Sequence, residues 1–196
     1  VAANHGDIGS NAVDLSYSNS ASTTRGATGD SSTAMGISTT ASGIASTAMG
    51  ASTEASGIAS TAMGAGTTAS GFRSTAMGQS TTASGTYSTA MGQSTTASGA
   101  YSTAMGDGTT ATGNTSTTMG RSTEASGIFS TAMGNGTTAS GAFSTAMGRN
   151  SKASDYGSLV IGQYNSSGSS ATSANSFSTA NTAFVIGNGA DGNNIS

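Results

Sequence analysis

A methionine-glycine pair returns at every fourteenth position, at Met35, Met49, Met63, Met77, Met91, Met105, Met119, Met133 and Met147, and these nine are all the methionines of the 196-residue chain. A second marker keeps the same step: a glycine preceded by Ala-Ser or Ala-Thr falls at Gly29, Gly43, Gly57, Gly71, Gly85, Gly99, Gly113, Gly127 and Gly141. A fixed period of this length is the signature of a repeat architecture. Each unit is too small to bury a core alone and is stable only when stacked on its neighbours.

Composition sharpens that constraint. Hydrophobic residues make up 34% of the chain and charged residues only 7%, with 30 glycines, no proline, no cysteine and a net charge of −3. Low hydrophobicity commonly accompanies disorder, but disorder also brings charge or proline, and both are lacking. The strict period therefore predicts an ordered solenoid with a thin core. Five Lys and Arg, scattered at Arg25, Arg73, Arg121, Arg149 and Lys152, argue against a nucleic-acid surface. No apolar run approaches the roughly 20 residues that span a bilayer, and Val1 rather than Met opens the chain. The expectation is a fragment whose signal and membrane anchor lie elsewhere.

Each period holds two short runs, S-T-A-M before one glycine and T-T-A-S before the other, as in Ser60–Met63 and Thr67–Ser70. Both are too short for helices and lie between glycine turns, so one period reads as two strands and two turns. The predicted fold class is all-β, a parallel β-solenoid of 14-residue coils. Side chains alternate between the faces of a strand. In the T-T-A-S run the second threonine is replaced by Glu54, Glu124 and Lys152, and a charge would be costly in a thin interior. Thr40, Glu54, Thr68, Thr82, Thr96, Thr110, Glu124, Thr138 and Lys152 are therefore expected on the exposed surface, with the alternating Ala41 to Ala153 column inside.

For the S-T-A-M strand the expectation is a core ladder of Met35, Met49, Met63, Met77, Met91, Met105, Met119, Met133, Met147 and Ile161, facing the inner alanines. Each buried Met would contribute about 1.5–3 kcal/mol. The alternating column of Ala34, Ala48, Ala62, Ala76, Ala90, Ala104, Ala132, Ala146 and Val160, broken by Thr118, then lies on the outer face. There it reads as a close-packing seam that meets other chains. The aromatic residues near the second glycine, Phe72, Tyr87, Tyr101, Phe129, Phe143 and Tyr156, are expected to pack over a coil corner or against a neighbouring chain, with a recognition stripe as the alternative.

Three segments are expected. Residues 1–26 are off register and read as an N-terminal cap or incomplete coil, 27–164 carry the regular repeats, and 165–196 form an irregular last coil with an insertion and the start of a neck or tip. In the last segment Val185–Gly187 repeats Val160–Gly162 at an interval longer than the period, which places the insertion between them.

S-T-A-M-G followed by x-S-T-T-A-S-G resembles the S-V-A-I-G repeats of YadA-like heads in trimeric autotransporter adhesins, and Ser158–Gly162, SLVIG, is nearly the family form. Thr and Met stand here where that family commonly has Val and Ile. The resemblance implies a left-handed parallel β-roll, an intertwined or side-by-side homotrimer, and a head that binds a host surface, an extracellular-matrix molecule or a cell-surface receptor. It also implies display at the outer membrane of a bacterium. Similar repeats occur in phage tail fibres, so a virion fibre shaft or receptor-binding segment is the alternative. Ice binding through the outward Thr and Ser columns ranks below both, because Glu54, Glu124 and Lys152 interrupt them.

No catalytic constellation accompanies the repeats. The single histidine, His5, lies outside them, so the abundant hydroxyls have no base beside them. The carboxylates are scattered singly: Glu54 and Glu124 are five coils apart, about 24 Å at ~4.8 Å per strand. No cofactor or metal is expected, and the reading is a non-enzymatic adhesive head.

Overall fold

The computed structural model describes residues 6–18, 22–165, 173–176, 178 and 180–188. The chain divides into two compact units, Val1–Ala97 and Ser98–Ser196. Each is all-β and built from the same coil: a five-residue strand, a turn, a two-residue strand and a second turn.

In the first unit the long strands are β1 (Val13–Tyr17), β3 (Thr33–Ile37), β5 (Thr47–Ala51), β7 (Thr61–Ala65), β9 (Thr75–Gln79) and β11 (Thr89–Gln93). The short strands are β2 (Gly26–Ala27), β4 (Thr40–Ala41), β6 (Glu54–Ala55), β8 (Thr68–Ala69), β10 (Thr82–Ala83) and β12 (Thr96–Ala97). Long strands stack in the order β1-β3-β5-β7-β9-β11, and short strands stack in a second sheet. Every described pairing is parallel and keeps the sequence register, so Met63 lies beside Met49 and Met77.

The second unit repeats the plan with long strands β13 (Thr103–Asp107), β15 (Thr117–Arg121), β17 (Thr131–Asn135), β19 (Thr145–Arg149), β21 (Leu159–Gln163) and β22 (Phe184–Asn188). Its short strands are β14 (Thr110–Ala111), β16 (Glu124–Ala125), β18 (Thr138–Ala139) and β20 (Lys152–Ala153). The architecture is a parallel β-solenoid.

Hydrogen bonds run from coil to coil in the turns as well as the strands. Thr61 N donates to Ser74 O at 2.9 Å and Thr68 N to Thr81 O at 2.8 Å, while in the turns Arg73 N donates to Ile58 O and Ser80 N to Ala65 O. Each coil is thus a copy laid on the previous one, which is why the sequence tolerates so little variation in length. Thr supplies β-branched side chains to both strands.

The interior differs from the sequence expectation, and the difference bears on function. The long-strand alanines Ala34, Ala48, Ala62, Ala76, Ala90, Ala104, Ala132 and Ala146 are 0% exposed, Val160 is 2%, and they face the equally buried short-strand column Ala41 to Ala153. The methionines are on the other face. Met35 and Ile161 are each 39% exposed, and Met49, Met63, Met77, Met91, Met105, Met119, Met133 and Met147 are half-buried from outside. The expected core ladder is therefore an outer column and the expected Ala seam is the core.

The physical reason is the thickness of the roll. Buried with the alanines are a Ser column (Ser32, Ser46, Ser60 and their equivalents) and a Thr column (Thr39, Thr53, Thr67 and theirs). The largest fully buried side chains are threonines. Two sheets joined by turns of a few residues leave room for at most the branched three-heavy-atom side chain of Thr or Val from each wall, and a methionine extends four atoms in an unbranched chain. The inward Ser is satisfied locally where the rotor is aimed at it: Ser130 Oγ donates to Gly127 O at 2.7 Å and Ser158 Oγ to Asp155 O at 2.8 Å.

Both ends depart from the period. β1 pairs in register with β3, Val13 opposite Thr33 and Leu15 opposite Met35, although the two strands lie further apart in sequence than one period. The first coil thus carries an insertion. At the other end the short-strand sheet stops on a side chain. Lys152 N donates to Asn165 Oδ1 at 2.7 Å and Asn165 Nδ2 donates to Lys152 O at 3.0 Å, so the carboxamide replaces the peptide group of a further strand. The long-strand sheet continues one strand more, with Val185 opposite Val160 and Ile186 opposite Ile161. Between them, Ala142 N donates to Ala174 O, Tyr156 N to Ser173 O, and Thr182 N to Asp155 Oδ2 at 3.0 Å. Asp155, which replaces the glycine of other coils, is 3% exposed and anchors the inserted segment.

Candidate functional site: the outer faces of the coils

Three outward surfaces remain once the Ser, Thr and Ala columns fill the interior. The first is the long-strand face. Its rows run Thr33-Met35-Ile37, Thr47-Met49-Ala51 and Thr61-Met63-Ala65 in the first unit, and Thr103-Met105-Asp107 through Thr145-Met147-Arg149 in the second, set in line by the parallel register. The end strands make this face more apolar. In the first unit it begins with Val13, Leu15 and Tyr17, exposed by 49%, 64% and 61%. In the second it ends with Phe184 and Ile186, exposed by 56% and 69%. In each unit the in-line methionine column thus runs at one end into large exposed apolar residues.

The second surface is the short-strand face. Thr40, Thr68, Thr82, Thr96, Thr110 and Thr138 are half-buried there, and Glu54, Glu124 and Lys152 are exposed. It is flat, polar and repetitive, with no side chain longer than threonine in most coils.

The third is formed by the turns. On the edge that follows the methionines, Arg121 Nε lies 3.7 Å from Asp107 Oδ2, with the two side chains 71% and 57% exposed, and the Arg149 guanidinium sits 5.3 Å over the Tyr164 ring. On the opposite edge the aromatic residues pack on one another outside the turn. Phe72 meets Tyr87 edge-on at 5.4 Å between centroids, with the Arg73 guanidinium 5.0 Å from the first ring and 5.8 Å from the second. Phe129 and Phe143 stack at 5.0 Å and 13°, and Tyr156 tilts onto Phe143 at 5.3 Å. Such contacts are worth about 0.5–1.5 kcal/mol per pair beyond area burial.

This edge carries strain that sequence reading did not find. Tyr87, Tyr101, Phe129 and Phe143 adopt φ of 56°, 58°, 56° and 59°, a left-handed conformation that is unusual for bulky residues. The only cue in the sequence was their position two places after the glycine.

Among the described residues no three His, Cys, Asp or Glu side chains group as metal ligands. His5 and the Asp191–Asn194 stretch lie outside the described residues.

A family model described as the YadA head domain repeat (2 copies) matches nine overlapping segments: 27–53, 41–67, 55–81, 69–95, 83–109, 97–123, 111–137, 125–151 and 139–165. Successive matches step by one coil of the solenoid. A comparison with curated proteins finds no match.

Proposed function

We propose, for a chain that belongs to the YadA head repeat family, that it is the non-enzymatic head of a surface-displayed trimeric adhesin. In this reading the methionine column joins the three chains, and the short-strand face and turns meet the target. The observation that carries it is the exposed apolar long-strand face. Fully burying a methionine is worth about 1.5–3 kcal/mol, so covering the 39% of Met35 left exposed recovers roughly 0.6–1.2 kcal/mol. The terminal apolar residues, more exposed still, add more. The eight half-buried methionines have less to recover than Met35, so it is the sum over the column that favours a homotrimer.

The alanines, which reading the sequence alone puts at this junction, are closed inside one chain and have no surface to offer. Methionine suits the role now assigned to it: unbranched and polarizable, it adapts to a facing copy of itself. Among the described residues the short-strand column is charged only at Glu54, Glu124 and Lys152. Attachment to a host-surface or matrix molecule then rests on many weak contacts engaged at once, since linked sites raise avidity by ~100-fold or more.

Light scattering of the chain at micromolar concentration tests the assembly, with Met63→Glu/Met133→Glu as the comparison. A trimer that the double substitution converts to a monomer with unchanged far-UV circular dichroism is the expected result. A folded monomer for the unaltered chain refutes the proposal.

A further inference from the structure

The backbone ladder between coils leaves out the amide that follows the turn glycine, or Asp155 in its place, and the chain fills this amide in three ways. At Ser10 it donates to the Asp30 carboxylate, Oδ1 at 3.0 Å, and at Ala100 to the Asn114 carboxamide, Oδ1 at 3.2 Å, each a side chain of the following coil. At Ala142 and Tyr156 it donates to the main-chain carbonyls of Ala174 and Ser173, at 2.7 and 2.8 Å. The last filling comes from a stretch of polypeptide laid against the edge. Ala142, with that stretch bonded to it, is 5% exposed.

In the first unit the same amide is open in four consecutive coils. The N–H groups of Ile44, Ile58, Phe72 and Thr86 have no hydrogen-bond partner among the described residues, and Ile44, Ile58 and Phe72 are 53%, 48% and 38% exposed. At ~4.8 Å per coil the four donors span about 14 Å. The Arg73 guanidinium stands at the third of these coils, 5.0 Å from the Phe72 ring and 5.8 Å from the Tyr87 ring, and among the described residues no carboxylate pairs with it. The edge thus offers main-chain donors, apolar side chains and a cation without a counter-ion. Main-chain hydrogen bonds that give affinity, beside side chains that give specificity, are the general form of an extended-peptide site.

The inserted segment also supplies a direction. Ser173 sits on the amide of the later coil and Ala174 on that of the earlier one, so a chain bound in the same sense runs against the coil order, past Arg73 first and Ile44 last. Three residues of extended chain cover about 10 Å, close to the ~9.6 Å of two coils. An acidic residue placed at Arg73 is therefore followed three positions later by the residue that meets Ile44.

We propose that the amides of Ile44, Ile58, Phe72 and Thr86 form a docking strip for an extended polypeptide segment of a partner protein, bound through its main-chain carbonyls, with a carboxylate side chain on Arg73 and an apolar side chain on Ile44. This deepens the adhesive reading, on which it rests for its use in attachment, by making the target a protein. The strip itself is built within one chain.

Amide NMR of the isotope-labelled full chain, titrated with the end-blocked peptide Ser-Glu-Ser-Ala-Ile-Ser, its Gln-for-Glu analogue and the reversed sequence, tests it, with light scattering on the same samples. Expected are saturable shifts at the Ile44, Ile58, Phe72 and Thr86 amides, with affinity at least about tenfold lower for the analogue and for the reversed peptide. Arg73→Gln lowers the affinity of the Glu peptide by a similar factor and leaves that of the analogue unchanged. Ile58→Asn with Phe72→Asn supplies the carboxamides that fill Ile44 N and Ile58 N from within, as Asn114 fills Ala100 N, and abolishes binding with unchanged circular dichroism. Glu124→Gln, on the short-strand face of the second unit, changes nothing. No saturable shift at these amides, equal binding of the forward and reversed peptides, or binding undiminished by Arg73→Gln overturns the strip. Binding to a chain that scatters as a monomer retains the strip and refutes the trimeric head, whereas a trimer without the shifts does the reverse.

Discussion

Two glycines at one corner of the coil, Gly64 near the end of β7 and Gly66 just after it, should respond oppositely to the loss of their hydrogen side chain. Gly64 has φ +123°, and a Cβ built on it would lie 1.9 Å from Gly78 O, 2.9 Å from its carbonyl carbon and 3.0 Å from its nitrogen, all backbone of the next coil. Relief demands that the coil above move by more than an ångström, which no side-chain rotation can supply. Backbone strain of this kind costs about 1–3 kcal/mol and an overpacked contact about 1–3 kcal/mol more, so Gly64→Ala should lose roughly 2–6 kcal/mol. Gly66 has φ +63° and meets nothing closer than Ser80 Oγ at 3.9 Å. The equivalent positions Ser52 and Ser80 already hold serine at φ 53°. Gly66→Ser should therefore stay within about 1 kcal/mol of the parent, the left-handed cost offset by the lower entropy of the unfolded chain. Urea unfolding followed by circular dichroism at one fixed protein concentration measures both, since assembly makes stability depend on concentration. Equal destabilisation by the two substitutions, or a Gly64→Ala chain within about 1 kcal/mol of the parent, would refute the claim that coil-to-coil backbone approach sets the repeat.

The inward and outward columns give a second comparison: Ala76→Leu should lower stability by about 1–3 kcal/mol or more through overpacking, whereas Met77→Leu should leave a thermal melt nearly unmoved. The reverse order would put methionine back in the core. Asp155→Ala leaves Thr182 N without its acceptor, so amide hydrogen exchange should speed up around Thr182 while the coils below keep their protection, at a cost of about 1–3 kcal/mol. Asp107→Asn removes an exposed ion pair and should change the melting free energy by less than about 1 kcal/mol, measured at low and high salt.

The period, the strand pair per coil and the parallel stacking were legible because Met35 to Met147 and Gly29 to Gly141 keep one step over most of the chain. The phase of the short strand was also legible. Glu54, Glu124 and Lys152 interrupt one alternation, and all three are exposed. For the long strand no charge marks either alternate, and ranking by hydrophobicity places Met inside and Ala outside, the inverse of what the coil adopts. Hydrophobicity ranks transfer from water, but the interior here is limited by the distance between sheets. Ser and Ala fit it and Met does not. Thr118 carries the missing signal: it replaces an alanine, is 0% exposed, and differs from its neighbours by only two heavy atoms. A column that admits Ala, Thr and Val but nothing longer is a column under a steric ceiling.

Turning the long strand over moves the apolar surplus from the inside of one chain to its outside, and this links the fold to assembly. A roll filled by Ala, Ser and Thr buries little hydrophobic surface per coil and leans on backbone ladders for much of its stability, with nearly every hydroxyl inside it an added cost where unpaired. The surface that could offset that cost is displayed on the long-strand face, with the largest residues, Leu15, Tyr17, Phe184 and Ile186, at its two described ends. A chain arranged this way gains further hydrophobic stabilisation by meeting copies of itself, so that assembly adds to the stability each folded chain has alone. Diluting the chain should therefore lower its unfolding midpoint, and substituting Met63 and Met133 by Glu should produce the same lowered midpoint at every concentration.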